Sequence, residues 1–299
     1  MLMNTLKHPT DPVNAYFLTT FSASTIESST YRMRQFCAFT FNNKVFETCD
    51  WSKISYTKVL EFIHFLKNNG QSFTSINTTL AVIKSVSLHC WQLDYINCDT
   101  YMRIKSLKKI KGRNTVAGRT LTSNEINTIN NYYKQNISPL DCRDYAIFAL
   151  GIGAGLRRNE IRMLDFESID NEKITVTGKN NHTRSLPLTR FVSDALNNWL
   201  SFRDCKSGAI FTKTYKNSVK ERLTILSIHR TAARISKNTN LTPFTSHDLR
   251  RTFATLLLDN DADRFGVQRL LGHSNLKTID IYDRRPDRHA KATIQLLPF

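Results

Sequence analysis

The sequence predicts a mainly α-helical protein with a small β-sheet, divided into two domains. The chain has 299 residues, and a chain of this length usually folds around more than one hydrophobic core. Apolar residues recur at helical spacing in its first hundred residues, whereas an alternating stretch in the second half predicts a β-hairpin. A segment rich in Lys and Arg that contains no Asp or Glu separates the helical first part of the chain from the second half. We therefore expect a helical domain at residues 1–102, an interdomain linker at 103–119 and a second domain at 120–299.

Two helices are predicted in the first domain. One runs from Ser55 to Gly70, with Gly70 as its C-terminal cap, and the next runs from about Thr74 to Trp91. Several aromatic side chains of this domain sit at helical periods, so we expect them in the core rather than on the surface as platforms for bases. These residues are Phe36, Phe39, Phe62, Phe65 and Trp91.

The second domain opens at Leu121, where the segment Thr122 to Glu125 has the form of a capping box. Residues 173–188 alternate apolar and polar side chains around the sequence GKNN, which predicts a β-hairpin with Lys179 at its tip. Farther on, Gly272 ends a helix whose last apolar residues are Val267, Leu270 and Leu271.

A helix with two different faces is predicted from His247 to Leu258. The predicted external face carries His247, Arg250, Arg251 and Ala254. The predicted buried face carries Leu249, Phe253, Leu256 and Leu257. On this interpretation, the buried face anchors the helix and leaves a histidine and an arginine aimed at one external point.

The charge balance predicts a polyanionic partner. The chain has 42 Lys and Arg residues against 25 Asp and Glu residues, giving a net charge of +17. The alternative is a merely soluble basic protein. Residues 103–119 contain seven basic residues and no acid, which is typical of a solvated linker but also suits a strap along DNA phosphates. The expected DNA contacts are Lys105, Lys108, Lys109, Lys111, Arg113, Arg119 and, in the second domain, Arg251.

Other compositional features argue against several classes of protein. Six cysteines are scattered without a CxxC pair, so neither a zinc site nor a disulfide framework is expected, and the thiols should be reduced. No apolar run reaches the roughly 18 residues of a membrane span, and the N-terminus lacks a signal-peptide core. We expect a cytoplasmic, nucleoid-associated protein.

Six polar residues of the second domain carry the strongest functional signal. They are Arg157 in AGLRRNEI, Lys179 in VTGKNNHTRSLPL, His247 and Arg250 in SHDLRRTFAT, and His273 and Tyr282 in LLGHSNLKTIDIY. Taken alone, each has an ordinary explanation, such as a surface lysine or a buried tyrosine ring. Together, in this order, they resemble the catalytic constellation of the tyrosine recombinases, the phage integrase and Xer group. The resemblance covers about the last 180 residues.

The chemistry of phosphoryl transfer suits this set. Negative charge develops on the non-bridging phosphate oxygens, and Arg157 and Arg250 could clamp them while His273 donates a third hydrogen bond. Glu160 follows Arg157 by three residues and is interpreted as the residue that orients it. Neither a metal nor another cofactor is expected.

The resemblance implies the remaining roles. Tyr282 would attack a DNA phosphate and form a 3′-phosphotyrosyl link, and His247 would accept its proton. Lys179 would protonate the departing 5′-oxygen. The implied function is site-specific recombination, that is, integration, excision, inversion or resolution of a mobile element or replicon.

The resemblance also implies an architecture and partners. The first domain would be a helical, SAM-like core-binding domain that forms a C-shaped clamp on DNA with a mixed α/β catalytic domain. Residues 286–299 would be an exchange tail. The partners would be double-stranded DNA with inverted-repeat half-sites and further copies of the chain, two per site and four in synapsis. The alternatives are a type IB topoisomerase and a non-enzymatic DNA-binding protein of the same fold.

Overall fold

The computed structural model describes residues 11–20, 22–43, 45–112, 118–170, 172–178, 182–203, 207–214 and 221–272. The chain forms two compact units, Met1–Ala117 and Gly118–Phe299. The described residues are mostly helical and contain one three-stranded sheet. The predicted fold class, mainly α with a small β-sheet, is confirmed.

The first unit is a bundle of helices around an aromatic and aliphatic core. Its helices are α1 (Pro12–Leu18), α2 (Ala23–Phe41), α3 (Tyr56–Asn68), α4 (Phe73–Gln92) and α5 (Cys98–Ser106). Side chains of Ser55 and Ser72 cap the first turns of α3 and α4, so the helices start at these positions. Gly70 follows α3 with a φ of +70°, a conformation that favours glycine. Both predicted helices are confirmed.

The prediction that five aromatic residues lie in the core was wrong for three of them. Phe36 and Phe62 are fully buried, whereas Phe39, Phe65 and Trp91 are 41%, 43% and 38% exposed. Helical spacing predicts which side of a helix faces the core, but it does not show how far a neighbouring helix covers the edge of that side. Phe39 and Phe65 lie at such an edge and contact each other, with ring centroids 4.8 Å apart.

The predicted start of the linker at residue 103 is also corrected. Helix α5 continues to Ser106, and Ile104 and Leu107 are buried in the core of the first unit. The Nζ atom of Lys84 donates hydrogen bonds to the carbonyls of Lys105 and Leu107. Because Ile104 and Leu107 are apolar and three residues apart, they hold this part of the basic run against the helices.

The second unit surrounds its sheet with helices. These are α6 (Ser123–Gln135), α7 (Pro139–Gly153), α8 (Arg158–Met163), α9 (Arg190–Leu200), α10 (Ile225–Asn238), α11 (Ser246–Asp259) and α12 (Arg264–Leu271). The strands β1 (Ile169–Asp170), β2 (Lys173–Thr177) and β3 (Thr183–Pro187) pair antiparallel in that order, with Ile174 opposite Leu186. The predicted hairpin is confirmed. The predicted capping box is present at Thr122 and Glu125.

Helix α7 forms the centre of the second unit. Its residues are buried along most of its length, and it packs against α9 and α11. A Cβ atom at Gly151 would lie only 2.9 Å from Cδ1 of Leu249, so this glycine allows α7 and α11 to approach closely. The close packing positions the last turn of α7 beside the first turn of α11.

Candidate active site

Arg157 is placed by the tight turn that follows α7. Gly155 in this turn has a φ of +63°, and a Cβ atom there would lie 2.4 Å from a ring carbon of Phe253. Arg157 then occupies the position before the first residue of α8. Its backbone N–H donates to Oε2 of Glu160 at 2.8 Å, and its Nη1 donates to Oε1 of the same residue at 2.9 Å. The contact predicted between Glu160 and Arg157 is therefore present.

Arg250 lies on α11 and is only 1% exposed. Its Nη1 donates to the carbonyl of Gly155 at 2.7 Å, and its Nη2 donates to the carbonyl of Leu271 at 2.6 Å. These contacts join the turn before Arg157 to the last turn of α12. A buried guanidinium held by two carbonyls is well oriented, because its planar fork leaves little freedom.

The prediction that α11 has one external face was wrong in its central turns. Arg250 and Ala254 are buried, whereas Leu256 and Leu257 are only half-buried. The reason is that α11 packs against α7, α10 and α12, so neighbours cover it on several sides. At the first turn, His247 remains exposed, as expected.

A single buried carboxylate binds the arginines of the site. Glu160 is 3% exposed, and both of its oxygens accept hydrogen bonds from Arg184 on β3, each at 3.0 Å. Nη1 of Arg250 lies 3.7 Å from Oε2 of Glu160. Burial alone would raise the pKa of Glu160, but the hydrogen bonds from Arg184 and from the Arg157 N–H outweigh it and lower the pKa.

The same three arginines also converge on the C-terminal end of α12. Nε of Arg184 donates to the carbonyl of Leu270 at 2.9 Å, and Arg250 donates to that of Leu271. Arg157 lies 3.4 Å from the Leu271 oxygen and 3.5 Å from the Gly272 oxygen. Carbonyls at a helix end lack partners within the helix and carry partial negative charge, so they favour cations. Gly272, with a φ of +61°, ends the helix as predicted.

His247 lies at the first turn of α11 and is exposed to solvent. Even so, its pKa is lowered, first by partial desolvation against the protein and then by the charges of Arg250 and Arg251. Asp248 acts in the opposite direction, and Arg157 lowers the pKa further. The ring is therefore neutral at pH 7 and able to accept a proton.

This pKa direction gives a testable expectation for the free protein. The His247 ring should titrate below the ordinary histidine value of 6.5. An NMR titration of the histidine ring signals, assigned with His247→Gln, would measure the midpoint. Arg251→Gln removes one nearby positive charge and should raise that midpoint. A midpoint at or above 6.5 in the unaltered protein would contradict the expectation.

The structure brings together only part of the predicted set. Arg157 and Arg250 converge on the end of α12, with His247 close enough to sense both charges. Lys179, His273 and Tyr282 lie outside the described residues. The base of the hairpin loop is described, and the backbone N–H of Gly178 donates to the carbonyl of His182 at 2.8 Å.

The residues expected to contact DNA fall into different groups. Lys105, Lys108, Lys109 and Lys111 are exposed on the first unit, and Arg113 lies outside the described residues. Arg251 is half-buried on α11.

The guanidinium group of Arg119 is held by contacts within the second unit. Its guanidinium donates to the carbonyls of Thr242 and Pro243 and forms an ion pair with Glu125 at 2.7 Å. It joins the start of the second unit to the segment before α11.

Sequence reasoning missed two features of this unit. Arg184 was not singled out, although its position five residues after Lys179 in the quoted hairpin motif was a usable signal. Helix α10 contains no acid and exposes His229, Arg230 and Lys237. It packs against α8, the helix that begins directly after Arg157.

No group of three or more His, Cys, Asp and Glu side chains within the described ranges could hold a metal ion. A search of the same ranges for a helix long and apolar enough to cross a membrane finds none.

Comparison with known proteins places this site in a family. Residues 119–289 match the phage integrase family. The tyrosine recombinase XerC of Histophilus somni is 36% identical over 156 residues, which cover 50% of this chain and 52% of that protein. XerC of Shewanella oneidensis is 37% identical over 163 residues, covering 50% of each chain. The match thus spans about half the length of these curated relatives.

Solved structures share the fold over nearly the whole chain. The Tn1549 transposon integrase in complex with transposon right end DNA superposes with a TM-score of 0.74 at 18% identity, covering 95% of this chain and 98% of that one. A lambda integrase dimer bound to a COC′ core site gives 0.69 at 16% identity, covering 91% and 93%. The fold is therefore that of the tyrosine recombinases and integrases. The chain belongs to the phage integrase family, as the four sequence motifs indicated.

Proposed function

We propose that this protein is a site-specific DNA recombinase that cleaves and rejoins strands through a 3′-phosphotyrosyl intermediate. The observation that carries the proposal is the convergence of Arg157 and Arg250 on the end of α12, directly before His273, in a chain of the phage integrase family. Oriented guanidinium groups stabilise the charge that develops on phosphate oxygens. XerC relatives are named tyrosine recombinases, so the topoisomerase alternative is not favoured.

The charges of the cluster suit an anionic substrate. Arg157, Arg184 and Arg250 carry three positive charges, and Glu160 carries one negative charge, which leaves two positive charges. A phosphodiester brings one negative charge, and its transition state concentrates more charge on the non-bridging oxygens. The cluster therefore stabilises the transition state more than it stabilises the bound substrate.

In the proposed reaction, the Tyr282 hydroxyl attacks the phosphorus and its proton passes to neutral His247. The bond between phosphorus and the 5′-oxygen breaks, and Lys179 gives that oxygen a proton. A 5′-hydroxyl of the partner strand then attacks the phosphotyrosyl bond and releases Tyr282. The energy of the phosphodiester is retained in the link, so the balanced reaction needs no nucleotide cofactor.

The proposal can be tested with a nicked duplex built from inverted repeats found beside the gene. Cleavage next to the nick releases a short fragment, so the covalent protein–DNA complex accumulates and can be seen on a denaturing gel. We expect this complex to form without added nucleotide. Relaxation of supercoiled DNA that lacks the repeats is not expected, and efficient relaxation would favour a topoisomerase instead.

The role proposed for Lys179 predicts a specific rescue. Lys179→Ala should slow cleavage of ordinary DNA by about 100-fold or more, since general acid catalysis contributes about that much. A substrate with sulfur at the 5′-bridging position should restore the rate, because a thiolate leaves without being protonated. Single-turnover cleavage of both substrates would measure the effect.

Lys173→Ala is a matched control for this experiment. Lys173 is an exposed lysine on the same hairpin, and its replacement should leave both rates unchanged. An equal defect of the Lys179 variant on the two substrates would assign Lys179 to DNA binding.

The proposed partner is double-stranded DNA, which predicts steep salt dependence. The logarithm of affinity should fall with the logarithm of salt concentration by about 0.9 per neutralised phosphate. Replacing the exposed Lys108, Lys109 and Lys111 with alanine should flatten this slope and weaken specific and random DNA alike. Gel-shift titrations at several salt concentrations would measure it.

A second triple variant provides the control. Arg34 lies on α2, Lys53 just before α3 and Lys58 in the first turn of α3, so their replacement by alanine removes the same charge from other positions of the first unit. An equal slope in both variants would show a general charge effect and contradict a local contact at residues 108–111.

The proposed assembly follows the family. Two protomers bind the inverted half-sites of one duplex, and four form the synapse of two duplexes, in the cytoplasm. The first unit serves as the core-binding domain. Residues 286–299, which lie outside the described residues, serve as a tail that links neighbouring protomers.

A further inference from the structure

Arg184 lies on β3 and connects the β2–β3 hairpin to Glu160 and to the end of α12. Its side chain is 15% exposed, and all three of its nitrogens are engaged within the protein. Nη1 and Nη2 donate to the two oxygens of Glu160, each at 3.0 Å, and Nε donates to the Leu270 carbonyl at 2.9 Å. This two-point pairing fixes the plane of the carboxylate, which a lysine could not do.

The carboxylate fixed by Arg184 is the one that orients Arg157. Oε2 of Glu160 accepts from the Arg157 backbone N–H at 2.8 Å, and Oε1 accepts from Nη1 of Arg157 at 2.9 Å. Arg250 lies farther away, at 3.7 Å. Without Arg184, the charge of Glu160 would be balanced by Arg157 and Arg250 alone. Coulombic attraction would then draw these two guanidinium groups toward Glu160 and away from a bound phosphate.

Arg184 also joins the hairpin to the helix end that precedes His273. Its contact with Leu270 lies beside the contact of Arg250 with Leu271. A Cβ atom at Gly272 would lie 2.9 Å from Nη1 of Arg184, so the helix end fits closely around this side chain. One residue of β3 therefore sets the spacing between Glu160 and the last turn of α12.

We propose that Arg184 is a positioning residue of the active site, which acts through Glu160 to hold Arg157 and Arg250 in the geometry that binds the scissile phosphate. This inference rests on the proposed recombinase function. Arg184 itself does not contact the substrate. Its route of action differs from that of Lys179, although both residues lie on the same hairpin.

The test compares Arg184→Gln with Arg190→Gln. Arg190 is a matched control, because it lies in the same unit, loses the same charge and has a side chain that is almost fully exposed. We expect Arg184→Gln to bind DNA like the control but to cleave a nicked substrate about 100-fold more slowly, the usual effect of a small misplacement of reacting groups. The defect should persist on the 5′-bridging sulfur substrate, whereas that of Lys179→Ala should disappear.

Two results would overturn the proposal. Cleavage by Arg184→Gln at the rate of Arg190→Gln would show that the pairing has no effect on the reaction. Rescue by the sulfur substrate would show that Arg184 acts through Lys179 instead. If Arg184→Gln does not fold, Arg184→Lys keeps the charge but loses the two-point pairing and should show the same pattern with a smaller defect.

A measurement without DNA separates this proposal from the recombinase function. The Arg157 amide N–H is held by Glu160, so its hydrogen exchange should be faster in Arg184→Gln than in Arg190→Gln. Unchanged exchange would overturn the positioning role even if the unaltered protein cleaves DNA. If the unaltered protein forms no covalent complex, the recombinase function fails, and faster exchange would still support the pairing of Arg184 with Glu160 and Arg157.

Discussion

Replacing Tyr282 with phenylalanine is expected to abolish covalent attachment of the protein to DNA and to leave DNA binding nearly unchanged. Phenylalanine keeps the ring but lacks the oxygen that forms the phosphotyrosyl bond. Loss of a nucleophile commonly lowers a rate by about six orders of magnitude, which is below detection on a denaturing gel. A nicked substrate would trap the complex of the unaltered protein, and a gel shift would measure binding.

Tyr145→Phe is a suitable control for this experiment. The Tyr145 hydroxyl donates to Oδ1 of Asn130 at 3.0 Å within the protein. Its removal therefore breaks one internal hydrogen bond but leaves the proposed nucleophile in place. This variant should still become covalently attached. Attachment of Tyr282→Phe would show that another residue is the nucleophile.

Glu160→Gln is expected to lower both stability and cleavage. The substitution removes the negative charge that Arg157, Arg184 and Arg250 share. Glutamine has only one side-chain oxygen, so it cannot accept two hydrogen bonds from Arg184 and two from Arg157 as the carboxylate does. Removing one member of a buried ion pair typically costs about 3–5 kcal/mol in the free energy of unfolding. Cleavage should fall by about 100-fold because Arg157 and Arg250 lose their orientation. Urea unfolding and single-turnover cleavage would measure the two effects.

The contribution of Glu160 to the free energy of unfolding depends on pH. The pKa of Glu160 in the folded protein lies below its ordinary value of 4.5. Its contribution to stability is therefore fully present above 4.5 and is lost as the pH falls through the lower, folded-state pKa. The stability difference between the unaltered protein and Glu160→Gln should shrink only in that acidic range.

Glu221→Gln serves as the control for Glu160→Gln. Glu221 pairs with Lys213 at the surface, where an ion pair typically contributes about 0–1 kcal/mol. A loss of stability in Glu160→Gln no larger than in this control would contradict the assigned role of Glu160.

Local features of this protein could be predicted from its sequence because they depend on residues close together in the chain. The capping box at Thr122 and Glu125, the helix end at Gly272 and the β2–β3 hairpin are all of this kind. Each follows from backbone hydrogen bonds or glycine conformation within a few residues. The four motif contexts likewise indicated the family from the sequence alone.

Tertiary structure decided the surroundings of the candidate site. Periodicity predicts one buried side of a helix, but α11 has neighbours on several sides, and Arg250 is consequently buried rather than external. Arg119 looked like part of a basic strap, yet it binds carbonyls more than 120 residues away. Residues 103–107 looked like linker, yet two apolar side chains among them belong to the first core.

The sequence by itself determined the secondary structure around the site, the family and the six candidate catalytic residues. Only the tertiary structure revealed that Glu160 binds Arg157, Arg184 and Arg250 together, and that all three also reach the end of α12. The physical reason is that a guanidinium group has several donors directed to fixed points in space. Which acceptors stand at those points depends on how α7, α11, α12 and the hairpin pack, and no local pattern of residues specifies that packing.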